Sequence, residues 1–516
     1  MSVRRRVVVT VVAALATVVV TVGAVAAASW WIGGTQRPFV AVSPVPTPGP
    51  GDMPTAAARL SSDITNVVLV LADDMDWKLW RDVPRLAALQ SEGTTFSNYV
   101  VSESLCCPSR STIFRGQYVH NHHVVSNAVE TGGGWPTFRN LGYPHDCLPV
   151  WLQSAGVHTG LIGKYLNQFP QTAAEETYVA PGWDTFVVPA SRATPYSGYD
   201  YKLDVNGVDV MHGSAPNDYI GDVLNGYTAA FLAAPRSPFF LEVATFAPHL
   251  PAPVAPRHAG SHAGAQAPRD PAFNALVTNP PSWLAPVRQL DSTQVADVDR
   301  LWQQRLESAE SVADTVDEVT QSLRASGHLN DTLIIVTSDN GFHAGSYGLT
   351  RGKRTAFDTD TVVPMVMIGP GISAGRTEDR MVSETDLGPT IADLLHATKP
   401  SWVDGRSLVP LLADPHVSWR TGVLTENIGI SQPGDPDYQL LAPHGFEALV
   451  TQEWLYIESG TSDVELYNRL RDPYELVNVA GSTSPAIVGR LRSQLNALKT
   501  CAGETCRSAD ALATTP

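Results

Sequence analysis

The aliphatic run Val67-Val68-Leu69-Val70-Leu71 leads almost directly into Asp73-Asp74. A short apolar run without polar alternation reads as a strand buried on both faces, and such a strand needs helices on either side of its sheet. The pattern returns at Leu333-Ile334-Ile335-Val336, which passes through Thr337-Ser338 into Asp339-Asn340. His158 to Ile162, Phe239 to Phe246 and Val362 to Ile368 are further strand candidates. Leu148 to Ser154 reads as a helix. So does Glu307 to Ala325, whose stripe of Val312, Val316, Val319 and Leu323 ends at Gly327. Strands alternating with helices predict an α/β sandwich around a large, mostly parallel sheet. Residues 250–296, rich in Pro, Ala and His, read as a long surface loop, and after about Ser401 shorter segments predict a small C-terminal α+β subdomain.

The N-terminus reads as an address. Arg4-Arg5-Arg6 precede an uncharged apolar stretch from Val7 to Ala28, the pattern of a cleaved signal peptide or of an uncleaved anchor through residues 7–28. Either exports the rest of the chain to the cell surface or beyond. Prolines 38, 44, 46, 48, 50 and 54 make the following stretch an extended spacer. The expected organisation is an address over 1–28, a linker over 29–58, a catalytic domain over 59–400, a subdomain over 401–510 and a tail over 511–516. With 35 Lys+Arg against 51 Asp+Glu, the net charge of −16 argues against a nucleic-acid partner bound through its phosphates.

In open α/β sheets, ligands bind beyond the carboxyl ends of strands. Asp73, Asp74, Asp339 and Asn340 all stand at such ends and offer only hard oxygen ligands, which suits Ca²⁺ or Mg²⁺ and is poor for zinc. Alone, each pair reads as a helix cap or a turn. At two matching strand ends they read as a metal site.

Cys106-Cys107-Pro108-Ser109-Arg110 precedes a short helix, Ser111 to Phe114, closed by Gly116. A group there faces unpaired N–H groups and the positive end of the helix dipole, which stabilises an anionic nucleophile or substrate. Arg110 adds a permanent charge whose fork matches sulfate or phosphate. The ordinary reading of vicinal cysteines in an exported chain is disulfide bonding. Cys501 and Cys506 are close enough to close a small loop and are expected to pair; Cys107 and Cys147 are a second candidate pair.

The stretch Cys106-x-Pro108-Ser109-Arg110 through Gly116 resembles the signature of the type I sulfatases. Its continuation, Tyr118-Val119-His120-Asn121-His122-His123-Val124-Val125, is similar to the N-acetylglucosamine-6-sulfatases and the extracellular heparan-sulfate 6-endosulfatases. The resemblance extends over residues 64–506 through Leu71-Ala72-Asp73-Asp74, Gly163-Lys164-Tyr165-Leu166-Asn167, Ala247-Pro248-His249-Leu250-Pro251, Ser338-Asp339-Asn340-Gly341, Asp404-Gly405-Arg406, Glu465-Leu466-Tyr467-Asn468 and Asp472-Pro473-Tyr474-Glu475. It implies an alkaline-phosphatase-like sandwich. It also implies that a formylglycine-generating enzyme oxidises Cys106 to formylglycine, whose hydrate carries one hydroxyl to attack sulfur and a second to expel sulfate.

By the same resemblance, Asp73, Asp74, Asp339 and Asn340, with the modified Cys106 alongside, bind Ca²⁺, the family's usual ion. Lys164 and Lys353 contact sulfate, His249 protonates the leaving oxygen, and His343 contacts sulfate or substrate. The position two after Lys164, a histidine base in many arylsulfatases, is Leu166 here. That leaves the second base open between Asn167, which only orients, and His343. His122 and His123 are weaker candidates, and His258 and His262 are expected to be solvated. The leading expectation is an exported sulfatase acting on 6-O-sulfated N-acetylglucosamine. The alternatives are a phosphate or phosphonate ester hydrolase of the same superfamily and a non-catalytic sulfoglycan-binding protein. Specificity is expected in the loops around 185–215, 250–296 and 425–445. The acidic balance disfavours a long polyanionic substrate.

Overall fold

The computed structural model describes residues 57, 60, 62–191, 194–429, 441, 443, 445–460 and 462–512. The N-terminal address and most of the linker lie outside these residues. Ten strands form one sheet: β1 (Asn66–Ala72), β2 (Thr94–Phe96), β3 (His158–Gly163), β4 (Thr185–Pro189), β5 (Tyr201–Val205), β6 (Val208–His212), β7 (Phe239–Ala244), β8 (Thr332–Ser338), β9 (Met365–Ile368) and β10 (Arg376–Glu378). Their order is β10-β2-β9-β8-β1-β7-β3-β4-β5-β6. The five central strands, β8 through β4, run parallel. The pairs β9/β8, β9/β2, β4/β5 and β5/β6 are antiparallel.

The uninterrupted apolar runs have a direct cause. Val67, Leu69 and Leu71 of β1, with Leu333 and Ile335 of β8, enter one core. Val68, Val70 and Ala72, with Ile334 and Val336, enter the other. Helix α1 (Cys106–Arg115) packs in the first core through Cys107, Ile113 and Phe114. Helices α2 (Ile220–Ala233) and α3 (Ser292–Ser326) cover the opposite face. Alternate side chains of one strand therefore reach two buried layers, so the middle of each of these two strands is apolar on both sides.

Several expected boundaries move. α3 begins at Ser292, fifteen residues before the predicted start, because Asp291 caps it by accepting from the N–H groups of Thr293 and Gln294. The signature helix includes Cys106 itself rather than starting at Ser111. The strand expected from Val362 begins at Met365, after Pro364. His258 and His262 are not solvated. Their Nε2 atoms lie 2.7 Å from Asp314 Oδ2 and 2.9 Å from Glu310 Oε1, so they tie the long loop to α3.

Four antiparallel strands, β11 (Gly422–Asn427), β12 (Phe446–Thr451), β13 (Trp454–Ser459) and β14 (Val464–Asn468), form a separate C-terminal sheet. One face meets Trp283, Tyr347 and Phe357 of the main body; the other packs on helix α4 (Pro485–Leu498). Cys501 and Cys506 are disulfide-bonded, as expected. Cys107 and Cys147 are not paired with each other: both are free, buried thiols within the apolar core, and burial pushes each up to about 12.

Candidate active site

The two predicted strand ends are neighbours. β1 and β8 run in register with Ala72 opposite Ser338, so the following residues emerge side by side. The Asp339 N–H donates to the Ala72 carbonyl (3.1 Å) and the Asp74 N–H to Asp339 Oδ1 (3.2 Å). Asp74 takes a left-handed backbone (φ 69°), a region aspartate enters more readily than branched residues. Arg305 of α3, fully buried, donates to the Asp74 carbonyl and brings Nη1 within 3.3 Å of Asp76 Oδ2. It pins the turn from behind, and sequence reasoning missed it because the predicted helix began two residues later.

Cys106 opens α1 beneath these carboxylates, with Sγ 3.5 Å from Asp73 Oδ1. Lys353 Nζ donates to Asp74 Oδ1 (2.7 Å) and to Cys106 Sγ (3.0 Å). Lys164 Nζ donates to Asp73 Oδ2 (2.6 Å). Arg110, one turn along α1, donates from Nε to Asp339 Oδ2 (2.9 Å) and from Nη1 to the Lys164 carbonyl (3.0 Å). Two of its donors are thus engaged inside the protein. All seven of these side chains are buried.

The charges explain the titration. Burial opposes ionisation of Asp73, but Lys164, His249, Arg110 and Lys353 outweigh it and hold the carboxyl below the ordinary range. Asp339 moves the other way, raised by burial and by the neighbouring Asp73 charge. Burial also raises the Cys106 thiol despite the two lysines. An unmodified thiol here is protonated at neutral pH and a poor nucleophile.

Asp73, Asp74, Cys106 and His249 each place a ligand atom within 4.8 Å of the others. Asn340 donates from Nδ2 to Asp74 Oδ1 (2.6 Å), and its Oδ1 is buried with no hydrogen-bond partner among the described residues. An orphaned amide oxygen among three buried carboxylates fits a hard cation. His249 fits it less well, since Ca²⁺ and Mg²⁺ prefer oxygen. Its Nδ1 lies 2.6 Å from the Leu250 carbonyl, which makes Nδ1 the donor and leaves Nε2 facing Asp74 Oδ2 at 3.8 Å.

A cavity of about 830 Å³ opens onto this cluster. Asp74, Lys164, His249 and Lys353 line it, with Asn167, Tyr196, Gln304, Phe342 and Arg351 among the other walls. His343 does not line it. It is buried, with Nδ1 3.0 and 3.1 Å from the two Asp360 oxygens, and its backbone pairs with Gly352 next to Lys353. His122 is also buried. Its Nδ1 accepts from the Val124 N–H (3.1 Å), its Nε2 lies 3.0 Å from Thr112 Oγ1, and burial holds its pKa well below the ordinary value. His123 is exposed. Tyr196 and Gln304 carried no sequence signal.

A buried cysteine under paired carboxylates and lysines, at the carboxyl edge of this sheet, defines a hydrolase of anionic esters with the alkaline-phosphatase-like fold. A sulfatase family profile matches residues 65–397, and the chain belongs to that family as a sulfuric ester hydrolase. A second profile, the C-terminal part of N-sulphoglucosamine sulphohydrolase, matches residues 345–501. The chain is 33% identical to the N-acetylglucosamine-6-sulfatase of Capra hircus, over 89% of this chain and 87% of that protein. It is 31% identical to an extracellular sulfatase of Drosophila melanogaster, over 70% of this chain and 33% of that protein. A structure solved with its substrate D-glucosamine-2-N,6-O-disulfate shares the fold, with a TM-score of 0.71 at 19% identity, covering 87% of this chain and 99% of that one.

Proposed function

We propose that this chain removes the 6-O-sulfate of N-acetylglucosamine, free or at a glycan end, after Cys106 has been converted to formylglycine. The reading is supported above all by the Lys353–Cys106–Asp73 contacts, together with the 33% identity to an N-acetylglucosamine-6-sulfatase. The hydrated formylglycine would supply two hydroxyls, one for attack on sulfur and one for release of sulfate. Asp73, Asp74, Asp339 and Asn340 would hold the cation, Ca²⁺ with Mg²⁺ as the alternative, and it would supply charge to grip the sulfate oxygens and acidify the attacking hydroxyl.

The remaining work falls to the chain's own side chains. Lys164 and Lys353 flank Cys106 and meet the sulfate oxygens. Arg110 orients Asp339 and the Lys164 backbone. His249, on the cavity wall, gives the leaving sugar oxygen a proton from Nε2 of its imidazolium form, since Nδ1 keeps its own hydrogen on the Leu250 carbonyl. His343 and Asp360 hold the strip that carries Lys353. Export follows from the apolar N-terminal segment. Residues 7–28 are the proposed anchor; among the described residues no helix is long and apolar enough to cross a membrane.

The test is a comparison of matured full-length enzyme on N-acetylglucosamine 6-sulfate and 6-phosphate, with Ca²⁺ and with a chelator. Sulfate release from the first substrate alone, lost on chelation, is the expected result. Preferential phosphate release would overturn the reading, and so would full activity in chelator.

A further inference from the structure

An aromatic ring stands beside the His249 imidazole. Tyr196 sits on a short turn, Thr194–Ser197, between β4 and β5. Its ring centroid lies 4.8 Å from that of His249, tilted by 49°. On another side it meets Phe246 edge-on at 5.2 Å. Lys164 Nζ stands 5.6 Å from the ring centroid, within cation–π range. The turn is docked on the chain that follows His249. Tyr219 Oη donates to the Pro253 carbonyl (3.1 Å), the Ile220 N–H donates to the Gly198 carbonyl (3.0 Å), and a Cβ on Gly198 would come within 2.7 Å of Pro253.

We propose that Tyr196 is a positioning residue for the reaction: its ring fixes the plane of the His249 imidazole so that Nε2 points into the cavity at the leaving oxygen. The Leu250 carbonyl holds Nδ1 at one edge of the imidazole, and the Tyr196 ring packs against its flank. General-acid transfer depends steeply on such alignment. Lys164 does not depend on the ring in the same way, because its ion pair with Asp73 is independent. The inference rests on the assignment of His249 as the acid.

The experiment varies the leaving group. A sugar alcohol needs a proton to depart, whereas the acidic phenol of a nitrophenyl sulfate departs without one. Tyr196→Leu is expected to lower kcat on the sugar sulfate at least tenfold and on the aryl sulfate by no more than about twofold. Tyr196→Phe, which keeps the ring, should preserve the wild-type ratio of the two rates. Thermal unfolding of both variants confirms that they are folded. If Tyr196→Leu slows both substrates equally, or slows neither, the inference is overturned. His249→Ala separates the layers. If it too slows both substrates equally, the assignment of His249 as acid has failed; if it spares the aryl sulfate while Tyr196→Leu does not, only the role of Tyr196 has failed.

Discussion

Lys353 Nζ stands 3.0 Å from Cys106 Sγ while bonding Asp74 Oδ1 at 2.7 Å. The ammonium thus joins Cys106 to the first strand end. His343 and Asp360 hold it there: Asp360 also accepts from the Thr355 N–H (3.0 Å) and hydroxyl (2.6 Å), bracketing Lys353 on both sides. Replacing Lys353 with Met should lower kcat by about 10²–10³-fold, the usual cost of removing one charge-stabilising donor from a dry site. Steady-state kinetics on a sulfated sugar checks this, and a variant within threefold of wild type would count against it. Asp360→Asn should give a smaller loss, because it loosens the strip without deleting the ammonium.

The buried thiol of Cys106 makes the second prediction. Since burial keeps it protonated, the unconverted chain should be inactive, and specific activity should rise in proportion to the fraction of Cys106 converted. Mass spectrometry of the peptide containing Cys106 would report replacement of the thiol by an aldehyde, a loss of H₂S with gain of oxygen. Substantial turnover by fully unconverted protein, or by Cys106→Ala, would remove the mechanism.

A hard cation should stabilise the folded chain. A ligand that binds only the folded state at about a hundred times its Kd adds about 2.7 kcal/mol. Calcium should therefore raise the midpoint of thermal unfolding and a chelator lower it. Asn340→Ala deletes the orphaned amide oxygen and should shrink the response to calcium. If the variant responds fully, Asn340 is not a ligand.

Much of this architecture was legible because a two-sided sandwich writes itself into its central strands. Val67 to Leu71 and Leu333 to Val336 had to be apolar on both faces, and the acids at their ends stood out against them. Surface and loop geometry left weaker traces. The first turns of α3 already carry a helical stripe of Val295, Val298, Trp302 and Leu306, so this part of the helix is legible in the sequence, and the predicted start at Glu307 passes over it. The Cys107–Cys147 pairing failed because spacing along a chain says nothing about the distance between two thiols in a core. Tyr196 reaches His249 only through the docking of two loops, which no local pattern encodes. Some motif pieces proved architectural. Asp404 accepts from the N–H groups of Tyr118 (2.8 Å) and Gly503 (2.6 Å), tying the end of the signature stretch to the disulfide loop. A Cβ on Gly405 would lie 2.0 Å from the Thr385 carbonyl, so only glycine fits.

Behind the signature helix, Glu384 supplies a prediction about pH. Its Oε1 accepts from Ser109 Oγ (2.5 Å), and its Oε2 from the Ser102 N–H (3.1 Å) and hydroxyl (2.9 Å), so it braces both sides of Cys106. Burial nevertheless pushes its pKa from 4.5 up to about 8, against the lowering effect of those hydrogen bonds. Between these two values the folded chain holds a proton that the unfolded chain has released. The stabilisation is complete below about pH 4.5 and declines as pH rises towards 8. Glu384→Gln mimics the protonated form and removes this dependence. Relative to wild type, the variant should gain on the order of 2–4 kcal/mol between pH 5 and pH 8. Urea unfolding of both proteins at the two pH values measures this as a double difference, which cancels the other buried acids. Parallel curves would mean that Glu384 stays ionised in the folded chain, and the brace behind Cys106 would then carry a full negative charge.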